Sequence, residues 1–190
     1  ASQLLDVGVQ LLDPNVPTDE KVQEEQKIFP DVRKAESRYM PMRLRSTLEG
    51  TGQWGQVRVV PAEEDSLDVM VSGKILESNG MTLKLEFTVR DASGRAWFTK
   101  VYQAPADTRS YRDTSGRPRD PFQNLYSEVA NDMLAARQKL AANDLESIRR
   151  VSDLRFASDL APYAFQDYLQ QEKKGHYQVQ RLPAEGDPLP

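Results

Sequence analysis

The feature that most constrains this fold is an alternating stretch in the middle of the chain, between residues 68 and 102. At its centre, apolar side chains occupy every second position and polar side chains lie between them. This period of two is the pattern of a strand that buries one face of a sheet. The side chains expected on the buried face are Met81, Leu83, Leu85, Phe87 and Val89.

Turn-forming residues stand at both ends of this strand. Asn79-Gly80 is a dipeptide favoured in two-residue type I′ hairpins, because both central residues need a positive φ that Asn and Gly adopt at low cost. Residues 91–94, Asp-Ala-Ser-Gly, place Asp first and Gly last, as a type I turn prefers. We therefore predict a three-strand antiparallel meander over residues 68–102.

The residues before the meander predict a strand, a helix and a second strand. Residues 4–12 largely alternate, and residues 56–60 form a short β-branched run. Between them a helix is expected to begin near Pro30 and to kink or divide at Pro41. The apolar residues expected on or near one face of this helix are Val32, Ala35, Tyr39, Met42 and those between 44 and 48.

The residues after the meander predict an amphipathic helix over 121–140 and further helix from about residue 143. The order β-α-β-β-β-β-α corresponds to an α/β two-layer sandwich, in which helices cover one face of a mostly antiparallel sheet. We expect this α/β domain to span residues 1–142, a helical extension to span residues 143–174, and an extended Pro-rich tail to span residues 175–190.

Composition excludes several classes of function. A net charge of −4 and a pI near 5.2 provide no overall positive field for a phosphate backbone, so nucleic acid is not an expected partner. The absence of cysteine excludes disulfides, thiolate nucleophiles and cysteine-ligated metals. No apolar run approaches the roughly 18 residues of a membrane span. The sequence starts at Ala1 without Met, which fits a processed amino terminus.

The residue inventory predicts no catalytic, cofactor or metal site. His176 is the only histidine and is expected in a solvated tail, whereas a general base needs a positioned imidazole. Glu63, Glu64 and Asp65 form a contiguous acidic run, which is typical of a solvated loop. The glycines of residues 50–55 precede a strand, although a phosphate-binding loop must lead into a helix. We therefore expect a protein that is not an enzyme.

Two segments are candidate contact surfaces. A long arginine-rich loop is expected either to bind a carboxylate-bearing partner or anionic glycan, or to be a mobile surface loop. Its candidate contact residues are Arg109, Tyr111, Arg112, Arg117 and Arg119. The apolar residues after the predicted domain either pack back as an extra core layer or meet another chain. These candidate interface residues are Phe156, Tyr163, Phe165, Tyr168 and Leu169.

The order of these segments resembles a known superfamily. The opening strand reads LLDVGVQLLDP, and a helix then leads into the strand of LRSTLEGTGQWGQVRVVP. LDVMVSGKILESNG enters the hairpin, LKLEFTVRDASGRAWFTKVY follows it, and QNLYSEVANDMLAARQKL closes the unit. Over residues 5–140 this pattern is similar to the TolB amino-terminal-domain superfamily, which includes curli-secretion-channel-like and exopolysaccharide-export lipoproteins.

The resemblance implies a non-enzymatic envelope protein of a Gram-negative bacterium, located in the periplasm or tethered to the outer membrane by a lipidated cysteine. That cysteine is absent from these residues. Such proteins assemble into rings or serve secretion, pilus, flagellar or polysaccharide-export machines, so other envelope proteins or further copies of the chain are the expected partners. The alternative is a periplasmic carrier or sensor that binds a small ligand or an anionic glycan between sheet and helices.

Overall fold

A computed structural model describes residues 4–64, 66–106, 120–165, 167–172 and 175–181. The first half of the chain forms β1 (Val7–Gln10), α1 (Glu20–Glu25), α2 (Pro30–Gly50), β2 (Val57–Val60) and β3 (Val69–Ser78). The second half forms β4 (Thr82–Asp91), β5 (Ala96–Pro105), α3 (Gln123–Gln138), α4 (Ala142–Leu160), α5 (Pro162–Phe165), β6 (Leu169–Gln171) and β7 (Tyr177–Val179). The predicted element order is confirmed, with α1, β6 and β7 as additional short elements.

The five strands β1 to β5 form one mixed sheet in the order β2-β1-β3-β4-β5. The three ten-residue strands β3, β4 and β5 form the predicted antiparallel meander. The short strand β1 lies between β2 and β3 and pairs with both in parallel. Most of the sheet is thus antiparallel, and the parallel part is confined to β1 and its two neighbours.

The core lies between one face of this sheet and the helices α2 and α3. Side chains of β4 such as Leu85 and Phe87 are fully buried in one cluster with Leu44 and Leu48 of α2 and Met133 of α3. Burial of a large apolar side chain of this kind contributes roughly 1.5–3 kcal/mol. The opposite face of the sheet is polar, as shown by the pairing of Lys74 with Glu86 across β3 and β4. The two-layer α/β fold predicted from the sequence is therefore confirmed.

The hairpin between β3 and β4 differs from its prediction. Only Gly80 in this loop has a positive φ, 78°, so the turn is not of type I′. Asn79 instead accepts hydrogen bonds from the backbone N–H groups of Met81 and Thr82, at 3.0 and 2.8 Å, through its side-chain oxygen. Such side-chain capping stabilises a turn without a left-handed Asn. The result is a three-residue loop in which Met81 is exposed rather than buried.

The orientation of α2 also differs from its prediction. The helix continues through Pro41 without dividing, and its buried residues include Arg33 and Ser37. The Arg33 guanidinium donates to the carbonyl of Ile75 at 3.2 Å, next to a bulge in β3. Because the bulge interrupts the ladder, this carbonyl takes donors from outside the sheet, namely Arg33 and the side-chain amide of Asn15 at 3.0 Å. The polar residue therefore faces inward, and the expected apolar face of the helix faces outward over its amino-terminal half.

The predicted helical extension begins where expected but shares the main core. Ile148 and Val151 of α4 are buried in the same cluster as the sheet residues. The segment predicted as a tail contributes β7, which pairs with β6 in a second, two-stranded sheet. His176 is half-buried beside this hairpin, where its carbonyl accepts a hydrogen bond from the Glu172 N–H at 2.8 Å, and not in a solvated tail.

Candidate interaction surfaces

The five aromatic and apolar residues predicted as an interface after α3 divide into two groups. Phe165 and Tyr168 are only 8% and 7% exposed, and they pack on Leu154 and Ala157 of α4, with Leu169 half-buried beside them. Phe156 and Tyr163, by contrast, are 41% and 94% exposed. The hypothesis of an interface thus needs correction for the first group, which forms an internal layer.

The inward group is held in place by the returning hairpin. The Arg181 guanidinium lies 4.7 Å from the centre of the Tyr168 ring and donates to its hydroxyl at 2.7 Å. Arg155 of α4 lies 4.6 Å from the centre of the Tyr177 ring in β7. Cation–π contacts of this type contribute about 0.5–2 kcal/mol each. The hairpin therefore covers one side of α4 and leaves Phe156 and Tyr163 outside the layer.

A buried carboxylate attaches α4 to the sheet. Asp68, immediately before β3, accepts hydrogen bonds from the Asp6 N–H at 2.8 Å and from the Ser152 hydroxyl at 2.5 Å. Arg149 lies 3.7 Å from the same carboxylate. Burial raises the pKa of Asp68, and the donors around it oppose that shift. Because these partners are a backbone amide, a hydroxyl and an arginine, the arrangement acts as an attachment between elements.

A second polar cluster joins α3 to β5. Asp132 accepts hydrogen bonds from the Lys100 ammonium at 2.7 Å and from the Tyr102 hydroxyl at 2.8 Å, and Glu128 also accepts from Lys100 at 2.9 Å. Burial would raise the pKa of Asp132, but the two donors lower it below its usual value. The hydrogen bonds to Asp132 and Glu128 raise the pKa of Lys100, and burial raises that of Tyr102. Neither group is thereby prepared as a nucleophile or base at neutral pH.

The surface that sequence reasoning missed is a stripe of apolar side chains along the outer side of α2. Val32, Tyr39 and Met42 are 53%, 52% and 54% exposed, and Ala35 between them is also exposed. Phe29, at the start of the helix, extends the stripe. The spacing of three and four residues was visible in the sequence, but it predicted a buried face. Contiguous exposed apolar side chains of this size are typical of protein interfaces.

Tyr39 in this α2 stripe is oriented by a polar cluster between α2 and α3. Its hydroxyl donates to Asp120 at 3.1 Å, and the Arg43 guanidinium lies 3.3 Å from the same carboxylate. Arg43 also donates to Gln123 at 3.0 Å. Burial and the charge of Asp120 raise the pKa of Tyr39, which therefore stays a neutral donor. The ring of Tyr39 is fixed at its hydroxyl end and open on its outer side.

An open groove of about 420 Å³ runs between β5 and α3. Its lining combines apolar residues with charged ones; the apolar ones include Trp97, Phe98 and Leu140, and the charged ones are Arg95, Lys100, Asp132 and Lys139. Arg95 is paired with Asp144 of α4 at 3.2 Å. This groove is the concavity in the described part of the chain that best fits the alternative of a ligand carrier.

The arginine-rich loop, with Arg109, Tyr111, Arg112, Arg117 and Arg119, lies outside the described residues. Within the described ranges, no helix is long and apolar enough to cross a membrane. Over the same part of the chain, no group of three or more His, Asp or Glu side chains is placed to hold a metal ion.

No known family profile and no curated protein matches this chain. Among solved structures, the PelC dodecamer from Paraburkholderia phytofirmans is similar at 14% identity and a TM-score of 0.42, over 72% of this chain and 89% of PelC. A hypothetical protein from Chlamydia trachomatis is similar at 8% identity and a TM-score of 0.36, over 68% of this chain and 93% of that one.

A protein from Xanthomonas campestris, described by the family model DUF330, is similar at 11% identity and a TM-score of 0.35, over 77% of this chain and 89% of that one. These identities and TM-scores do not assign the chain to a family. None of the three neighbours is described as TolB-like, so that resemblance stays a prediction from the sequence.

Proposed function

We propose that this chain is a non-enzymatic structural or accessory component of a multiprotein machine in a Gram-negative cell envelope, such as a secretion, pilus, flagellar or polysaccharide-export system. The chain acts in the periplasm or at the outer membrane by binding other proteins. The observation that carries this proposal is the exposure of apolar side chains in the α2 stripe and at Phe156 and Tyr163. The resemblance of residues 5–140 to TolB-like domains supports the envelope location.

The polar clusters support the same reading over an enzymatic one. The carboxylates of Asp68 and Asp132 are occupied by donors that attach helices to the sheet. A carboxylate held in this way by structural donors is not positioned as a general base. Among the described residues, the α2 stripe together with Phe156 and Tyr163 exposes apolar and aromatic side chains, and aromatic residues are enriched in protein interfaces.

In-cell photo-cross-linking tests this proposal. A photoactivatable amino acid is placed at Tyr163 or Tyr39 in the chain expressed from its own gene, with the exposed polar residue Arg58 of β2 as the matched control. We expect discrete cross-linked products in the envelope fraction from Tyr163 or Tyr39, and little product from Arg58. A chain recovered in the cytoplasm, or one without products at either tyrosine, contradicts the proposal.

The groove between β5 and α3 favours a second function, that of a carrier or sensor. Its apolar lining beside Arg95 and Lys139 has the chemistry for a small ligand with an anionic group. Saturable quenching of Trp97 fluorescence by an anionic oligosaccharide, lost in Lys139→Glu, would support this function in preference to the first.

A further inference from the structure

The α2 stripe has the spacing of a seam between two helices. Val32, Ala35, Tyr39 and Met42 follow one another at intervals of three, four and three residues. Alternating intervals of three and four average 3.5 residues, which is the repeat that keeps one face of a helix against a partner helix. All four side chains are exposed in this chain. The geometry points to a helix as the occupant of the stripe.

We infer that the occupant is α2 of a second copy of this chain, paired in antiparallel orientation about a two-fold axis near residue 37. In this register Val32 lies opposite Met42 of the second copy, and Ala35 lies opposite Tyr39. Each layer then combines a smaller with a larger side chain, which permits close packing. This inference rests on the proposed function, because it names the partner of one of the surfaces proposed there.

Charge complementarity favours the antiparallel orientation. Asp31, fully exposed, borders the stripe at its amino-terminal end, and Arg45 borders the same side about four turns later. Antiparallel pairing places each Asp31 near Arg45 of the second copy, so two opposite-charge contacts form. Parallel pairing instead places Asp31 near Glu36 and Arg38 near Arg43 of the second copy, which is unfavourable.

Arg38 is the one charged residue on this border that meets its own counterpart, because it lies close to the axis. Removal of this charge should therefore strengthen the pairing. An increase in self-association on substitution of a surface arginine is not expected from a helix that merely faces solvent. Stronger self-association of the Arg38→Gln variant would therefore support the antiparallel dimer specifically.

The absence of cysteine makes disulfide cross-linking specific, since every thiol is an introduced one. In the double variant Val32→Cys/Met42→Cys, the thiol at position 32 lies opposite the thiol at position 42 of the second copy. The two positions are about 15 Å apart along one helix, so they do not bridge within a chain. We expect covalent dimers from the double variant under mild oxidation and few from either single variant.

The matched control has the same number of thiols on the open sheet, at Arg58→Cys/Gln103→Cys, two exposed positions. Cross-linking of Val32→Cys alone as efficient as that of the double variant would indicate parallel helices and overturn the inference. Equal cross-linking of the control pair, or a monomer at all concentrations, would also overturn it. A monomer in solution leaves the in-cell cross-linking from Tyr163 unaffected, so the proposed function is judged separately.

Sedimentation of the full chain tests the charge argument. We expect Asp31→Arg and Arg45→Asp to weaken the dimer by about tenfold each. Each substitution turns two opposite-charge contacts per dimer into like-charge contacts. The combined variant should recover to within about twofold of the original, and Arg38→Gln should bind more tightly. A combined variant as weak as the two single variants would contradict the antiparallel register.

Discussion

Single buried polar residues join the elements of this molecule. Asp68 contacts the backbone of Asp6 on one side and Ser152 of α4 on the other. Arg33 similarly connects α2 to the bulged strand β3 through the carbonyl of Ile75. Removal of one partner leaves the other polar group buried without a hydrogen bond, which costs roughly 1–3 kcal/mol. These contacts therefore matter for stability chiefly because each buried group keeps its partner.

Two substitutions of Asp68 should distinguish the contribution of its hydrogen bonds to stability from the contribution of its charge. Asp68→Ala removes the acceptor of the Asp6 N–H and the carboxylate that Arg149 contacts, so we expect the free energy of unfolding to fall by about 2–3 kcal/mol. Asp68→Asn retains an acceptor and should change the free energy by about 1 kcal/mol or less. Urea unfolding at neutral pH measures both, and equal losses in the two variants would contradict this account.

The pH dependence of the same residue has a definite sign. Burial raises the pKa of Asp68 in the folded chain above the unfolded value near 3.8, so the folded state binds the proton first. Relative to Asp68→Asn, the original chain should gain stability as pH falls through the folded-state pKa, and the gain should be complete below pH 3.8. A stability difference that stays constant from pH 7 to pH 3.5 would show that the pKa is not raised.

At the scale of elements, the sequence correctly predicted those features that depend on a local pattern of apolar and polar residues. The alternation of β4 places Leu83, Leu85, Phe87 and Val89 in the core at 0% exposure, as expected. The pattern of α2 was misleading, because a helix with an apolar stripe on one side and Arg33 with Ser37 on another is expected to bury the stripe. The bulge in β3 that reverses this choice is a tertiary feature with no signal in the helix itself.

Local sequence patterns also could not predict the conformation of the Asn79 turn or which carboxy-terminal side chains are buried. A capped Asn79 and a left-handed Asn79 are both compatible with the same dipeptide. The inward and outward positions of Phe165 and Tyr163 depend on the β6–β7 hairpin, whose strands are only three residues each. Strands this short carry too few alternating residues to be recognised.

Two neighbouring aromatic residues in α5 provide a matched test of the internal layer. Phe165→Ala removes a buried ring and should lower the free energy of unfolding by about 3 kcal/mol. Tyr163→Ala removes a ring that is exposed to solvent and should change it by less than about 0.5 kcal/mol. Chemical denaturation compares the two variants, and equal losses would contradict the division of this segment into an inner and an outer group.

Two glycines test the geometry of the β3–β4 loop. A side chain at Gly80 or Gly50 would meet no atom within 4 Å, but only Gly80 has a positive φ. Gly80→Ala should therefore lower the free energy of unfolding by about 1–2 kcal/mol, since the strain is in the backbone. Gly50→Ala, in the last position of α2, should be neutral or stabilising by up to about 1 kcal/mol. The opposite ranking in thermal unfolding would be inconsistent with the left-handed conformation at Gly80.

At the scale of the whole molecule, the described residues form a main core, a smaller buried cluster against α4, and exposed apolar side chains on α2 and at Phe156 and Tyr163. The sheet, α2, α3 and part of α4 bury their apolar side chains against one another in the main core. The exposed side chains of the α2 stripe, Phe156 and Tyr163 are additional to that core. We therefore expect these surfaces to determine the assembly of the chain and to contribute little to its folding.

The size of the native assembly in an envelope extract tests this central claim most directly. The chain, expressed from its own gene, is extracted in mild detergent and followed by immunodetection on a sedimentation gradient, beside the variant Met42→Glu/Tyr163→Ser. We predict a particle much larger than one 21.5 kDa copy, and a shift of the variant to smaller particles without loss of its thermal stability. Sedimentation of the original chain as a single copy, or an unchanged particle in the variant, would contradict the claim that these surfaces are interfaces.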